Sequence, residues 1–157
     1  MQCQVVLKSP HFWGTISAEY SLIRLVTTGK RMAQTEVKYF SPNEAQKTLP
    51  LVKQIVRDIL NNAFQIKTIS ESLNGKIEDN EDIQLLVLQI DSFIRELDEI
   101  GCSFKDWNFQ IGLVDFPSVI DGEDVLLCWR SDEDSIRFYH SLEDGFAGRK
   151  PIPEEYF

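Results

Sequence analysis

Ala45, Leu49, Val52, Val56, Ile59, Ala63 and Ile66 follow one another in alternating steps of four and three. That spacing lines one face of an α-helix. The helix start is written just ahead of it: Ser41 as N-cap, Pro42 at the first helical position and Glu44 closing a capping box. Asn74-Gly75 supplies a left-handed stop. Pro50 lies inside the pattern and predicts a kink, because it removes a hydrogen bond and crowds the carbonyl of Gln46.

A second helix follows a short polar turn. Asp79 or Asn80 caps it, Glu81 and Asp82 place negative charge in its first turn, and Gly101 ends it. Its stripe is Ile83, Leu86, Ile90, Phe93, Leu97 and Ile100, widened by Val87 and Ile94. Two such seams joined by a short loop predict a long antiparallel helical hairpin. The first rod is the longer, so its Ser41–Pro50 end overhangs and needs the C-terminal half to bury Ala45 and Leu49. Lys53 and Arg57 come near Glu96, Asp98 and Glu99 in this pairing, a solvated set of charges worth little energetically.

After Gly101 the period changes to two. Gly112–Ser118, Val125–Arg130 and Ile136–Ser141 read as strands, separated by turns at Asp121-Gly122 and Ser131–Asp134. The short links make a three-stranded antiparallel meander, so the expected fold class is α+β. Alternation places Val114, Phe116, Val125, Leu127, Trp129, Ile136, Phe138 and His140 on the face toward the helices. Asp115, Cys128, Arg130, Arg137 and Tyr139 then share the opposite face.

Composition excludes several classes of function. The net charge is −9 and the pI about 4.7, which repels a phosphate backbone, so nucleic acid is not an expected partner. No apolar run is long enough to cross a bilayer, so a membrane is not expected either. Cys3, Cys102 and Cys128 are odd in number and lack a Cys-x-x-Cys spacing, which points to a reducing, cytoplasmic setting. The charge is uneven: residues 1–31 hold Lys8, Arg24, Lys30 and Arg31 against Glu19 alone, with many hydroxyls. Such a leader has the composition of an organelle transit peptide, and a plastid or mitochondrion is then the alternative location. The simpler readings are a translation start at Met32 or a frayed N-terminal extension ahead of a single α+β domain over 32–157.

Tyr39-Phe40-Ser41-Pro42-x-Glu44-Ala45, Leu49-Pro50, Gly112-Leu113-Val114-Asp115-Phe116-Pro117, Leu127-Cys128-Trp129, Phe138-Tyr139-His140 and Gly145-Phe146-Ala147-Gly148-Arg149-x-Pro151 form an ordered run of motifs. Together they resemble the domain of unknown function family 2203, mostly prokaryotic proteins, over about residues 38–152. The resemblance implies the helical hairpin and a motif-rich C-terminal half. It implies no activity, and no cofactor is expected from it.

Candidate chemistry gathers in that C-terminal half. Asp115 is a carboxylate among apolar neighbours and needs a partner or a task. Arg130, on the same expected face, is the candidate partner. His140 is a candidate general base or ligand, or a strand-end histidine bonded to backbone. Cys128 and His140 are weak metal-ligand candidates, with Cys102 and a carboxylate to complete a set, although the spacings match no zinc pattern. Cys128 reads more simply as buried and inert. A cysteine nucleophile with His140 as its base is disfavoured, since alternation sets the two on opposite faces. The loop Gly145–Lys150 could cradle a small anion with Arg149 beside it, or be a plain turn with Phe146 on the core.

The favoured function is a small binding or interaction module. Its surfaces are the helical hairpin, for a protein partner or self-association, and a polar pocket of Asp115, Trp129, Arg130, His140 and Arg149. The alternative is a small hydrolase-like enzyme using Asp115 and His140, with Arg149 stabilising negative charge.

Overall fold

The computed structural model describes residues 37–73 and 80–157. The leader and the Asn74-Gly75 stop lie outside the described residues. Helix α1 spans Pro42–Ser72 and α2 spans Glu81–Ile100. The capping box is formed as expected: the Glu44 amide donates to Ser41 Oγ, and the Glu44 carboxylate accepts the Ser41 amide at 2.9 Å. Of the two candidate caps for α2, Asn80 fills the role, its side-chain oxygen accepting the Ile83 amide at 2.9 Å. Gly101 ends α2 at φ 104, and Lys38 adds a hydrogen bond to the Ile100 carbonyl.

All seven residues of the first stripe are buried, and Ile55 and Asn62 join them. In α2 the buried residues are Ile83, Ile90, Ile94 and Leu97, while Leu86, Val87, Phe93 and Ile100 are only partly covered. Asn62 reaches across the hairpin to Gln89 at 2.9 Å. The helix α1 continues through Pro50.

The sheet has five strands where three were expected. They are β1 (Ser103–Phe104), β2 (Leu113–Ile120), β3 (Glu123–Arg130), β4 (Phe138–Ser141) and β5 (Lys150–Pro151), all antiparallel and in sequence order. The two additions are two-residue edge strands, too short to show a period. Asp121 and Gly122, at φ 55 and 80, form the two-residue turn between β2 and β3. Left-handed conformation at both positions suits a right-twisted hairpin. Between β1 and β2 the Asp106 carboxylate accepts the amides of Gln110, Ile111 and Gly112 at 2.6–3.0 Å, which shapes that loop.

The sheet does bury the overhanging end of α1. Phe40 meets the ring of Phe116 edge-on at 5.4 Å, and its amide donates to the Pro117 carbonyl. Gln46 accepts the Ile136 amide at 3.0 Å. Lys53 donates to the Asp134 carbonyl at 2.8 Å and lies 5.9 Å from the Trp129 ring. That lysine therefore bonds to the sheet side, not to the α2 carboxylates expected for it.

The expected faces are half right. Val114, Phe116, Val125, Leu127 and Trp129 share one hydrophobic cluster with the helices. Phe138 and His140 do not belong there: Phe138 pairs across from Cys128 and His140 from Leu126, on the outer face. Tyr139, expected outside, packs against the inner cluster. The error has a local cause. Ile136 is buried in that cluster but precedes the first strand residue, Phe138, so its phase does not carry into β4.

Candidate functional site

The outer face of the sheet is where polar chemistry concentrates. Asp115 from β2 stands directly across from Cys128 of β3, and His140 of β4 stands across from Leu126, two residues before Cys128. Residues two apart on a strand share a face, so the three side chains project together. Each is at most 5% exposed. One ligand-capable atom from each, a carboxylate oxygen, a thiol sulfur and a ring nitrogen, lies within 4.8 Å of the other two. Cys128 is buried without belonging to the helix-facing cluster.

The hydrogen bonds set the state of the histidine. Nδ1 lies 2.6 Å from the Ser141 carbonyl, which can only accept, so Nδ1 carries a proton. Nε2 is thereby aimed at the carboxylate, 3.4 Å from Asp115 Oδ1. That separation is long for a charge-assisted hydrogen bond, which falls at about 2.7–2.9 Å. The strand-end histidine bonded to backbone and the histidine beside a carboxylate are one and the same residue.

Burial pushes the Cys128 thiol up to about 12, and the neighbouring Asp115 carboxylate pushes it the same way. A buried thiol beside a carboxylate is a poor nucleophile near neutral pH, because so little of it is thiolate. The objection raised from the sequence, that Cys128 and His140 face apart, is removed; protonation of the sulfur takes its place. Cys102 stands outside this group, its thiol donating to the Leu97 carbonyl at 3.4 Å.

The remaining sequence candidates are placed elsewhere. Arg130 does not reach Asp115: its Nε and Nη2 hold Asp132 at 2.5 and 2.8 Å. The register explains this, since Arg130 pairs with Leu113, one row from Asp115. Trp129 points to the helices and donates its indole N–H to the Glu133 carbonyl. Arg149 lies beside the group, 3.3 Å from the Cys128 carbonyl, but its Nη2 is taken by both oxygens of Glu133 at 2.6 and 2.7 Å. The rings of Phe138 and Phe146 flank its guanidinium at 4.3 and 4.9 Å. Glu133 is the residue sequence reasoning missed; it sits in what reads as a plain acidic turn.

The loop Gly145–Lys150 is a tight turn. The amides of Gly148 and Arg149 bond to the carbonyls of Gly145 and Phe146, so two of its donors are used internally. Phe146 is 42% exposed and lies against Arg149, not on the core. A separate cleft of about 280 Å³ opens on the helix side, between Phe64 and Lys67 of α1 and the loop at Asn108–Gln110. It contains none of the three outer-face residues.

An α+β fold of two long helices under an antiparallel meander, with a buried polar trio on the far side of the sheet, defines the class. The chain belongs to the family described as uncharacterized conserved protein (DUF2203), whose model matches residues 38–152. No curated protein and no solved structure matches it. Among the described residues no helix is long and apolar enough to cross a membrane.

Proposed function

We propose that this chain is a binding module whose ligand site is the Asp115–Cys128–His140 group on the outer face of the sheet. One observation carries the reading. Three side chains of different chemistry, from three adjacent strands, turn their polar atoms toward one point in a buried environment. Burying a carboxylate there is unfavourable unless something compensates it. The two arginines nearest along the sheet, Arg130 and Arg149, are each engaged with another carboxylate.

A hydrolase-like reading draws on the same Asp115–His140 contact, with Arg149 stabilising negative charge. It is the weaker reading, because Glu133 already holds the Arg149 Nη2. The helical hairpin remains the surface proposed for a protein partner or self-association, since Leu85 and Leu88 stand exposed three residues apart on α2. Sedimentation of wild type beside Leu85→Lys/Leu88→Lys tests that surface; identical mass at all concentrations removes it.

Native mass spectrometry of the full chain, purified without chelators, tests the main reading. A bound mass carried by wild type and missing from Asp115→Asn and His140→Gln is the expected result. A mass retained by both variants, or none in wild type, overturns it.

A further inference from the structure

We infer that the ligand of this site is a single divalent transition-metal ion of the zinc class, held by Asp115, Cys128 and His140 in three of its four tetrahedral positions. The inference rests on the reading above that these three residues form the ligand site.

The donor set selects the ion. One thiol, one imidazole and one carboxylate form a borderline-soft combination suited to zinc-like ions, whereas magnesium and calcium favour oxygen ligands throughout. Three protein ligands leave a tetrahedral ion one open position. The 3.4 Å between His140 Nε2 and Asp115 Oδ1 suits this arrangement. Two ligand atoms each about 2.0–2.1 Å from a tetrahedral ion lie about 3.3–3.4 Å apart. The sulfur lies within 4.8 Å of both, and a tetrahedral ion would hold it about 3.6 Å from each.

Tautomer and charge agree with that geometry. A ligating histidine ordinarily gives its other ring N–H to a backbone carbonyl or carboxylate, which fixes the ring. His140 does so with Nδ1 on the Ser141 carbonyl, turning Nε2 toward the other two donors. Ion entry breaks the Cys128 S–H bond, releases that proton to solvent and forms a metal–sulfur bond. The two charges of the ion are then balanced by one thiolate and one carboxylate. A neutral centre replaces a buried carboxylate that otherwise has only the long contact to His140 and the Cys128 thiol beside it.

Cobalt(II) is the probe, because a thiolate bound to it gives a charge-transfer absorption that oxygen and nitrogen ligands do not. The full chain is stripped with chelator, returned to buffer and titrated with Co2+, then back-titrated with Zn2+. The expected result is one equivalent bound with the thiolate band, bleached by Zn2+ and unaffected by Mg2+. Cys128→Ser abolishes the band and Cys102→Ser leaves it intact. Circular dichroism establishes that each variant is folded, and His140→Gln supplies a second variant if Cys128→Ser is not. The inference is overturned if Co2+ fails to bind, binds without the band, or gives the same band in Cys128→Ser. If native mass spectrometry still finds a bound mass that depends on Asp115 and His140, the metal assignment alone has failed. If it finds none, the binding reading has failed as well.

Discussion

Asp115 and Cys128 are cross-strand partners in the β2–β3 ladder, with their polar atoms on the face turned away from the helices. The neighbours of each along its strand, Val114 and Phe116, Leu127 and Trp129, are all at most 1% exposed in the helix-facing core. The sheet is thus buried throughout on the helix side and, on the far side, at this centre, with Pro117, Leu126 and Phe138 around it only half-buried. Ordinary two-layer packing gives a reason for the first side only. The second, where a thiol, a carboxylate and an imidazole are buried together, is the feature a function must account for.

The hairpin seam makes a graded prediction. Ile90 is 3% exposed, whereas Leu86 lies only partly covered beside the core. Ile90→Asp places an unpaired charge in the interior and is expected to unfold the protein at room temperature. Leu86→Asp can turn its carboxylate toward water and should lower stability while leaving a cooperative transition. Urea denaturation followed by circular dichroism separates the two. Equal effects would place Leu86 as deep in the seam as Ile90.

Two glycines with nearly equal φ give a cleaner comparison. Gly122, at φ 80, has nothing within 4 Å of an added Cβ, whereas Gly112, at φ 82, would place that carbon 2.6 Å from Val56 Cγ1. Gly122→Ala is expected to cost about 1–2 kcal/mol, the strain of left-handed backbone alone. Gly112→Ala adds displacement of α1 from the sheet and should cost about 1–3 kcal/mol more. Chemical denaturation of the two variants measures the difference, and equal losses would contradict the close approach of Val56 to the loop.

The helices were legible because they are long. Seven apolar residues at helical spacing from Ala45 to Ile66 overdetermine their phase, and a capping box marks the start. The strands are short, and phase is fragile there: reading Ile136 as part of β4 turned Phe138, Tyr139 and His140 to the wrong faces and separated His140 from Cys128. The individual site candidates were visible as unusual residues, a carboxylate and a histidine inside apolar runs. Their meeting depends on the register between three strands, which no single segment encodes. Glu133 was invisible for a related reason, since its partner Arg149 lies sixteen residues away.

Arg149 tests whether charge or shape holds the loop. Its guanidinium contacts both oxygens of Glu133 and lies between two phenylalanine rings, with its side chain only 11% exposed. Arg149→Lys keeps the charge but loses the planar group that stacks and donates at once. A loss of about 1–3 kcal/mol is expected, from the weakened charged hydrogen bonds and the lost stacking. Thermal melts of this variant beside Glu133→Gln check it. A lysine variant as stable as wild type would mean that charge alone suffices.

Stability should fall in alkali, and the thiols set the window. Burial pushes Cys102 and Cys128 from the ordinary 9.0 up to about 12 in the folded protein. Well below pH 9 both are protonated whether the chain is folded or not, so they contribute no pH dependence there. Between pH 9 and about 12 the unfolded chain releases these protons while the folded one retains them, and each unit of pH then favours unfolding. Tyr39, beside Asp124, and Tyr156, bonded to Asp121, are also pushed up and act in the same direction. In chelator, where Cys128 stays a thiol, the midpoint of urea unfolding should drop steadily above pH 9. Cys102→Ala/Cys128→Ala should flatten the drop without abolishing it, because the tyrosines remain. An undiminished slope in the double variant would show that neither thiol is held protonated by the fold.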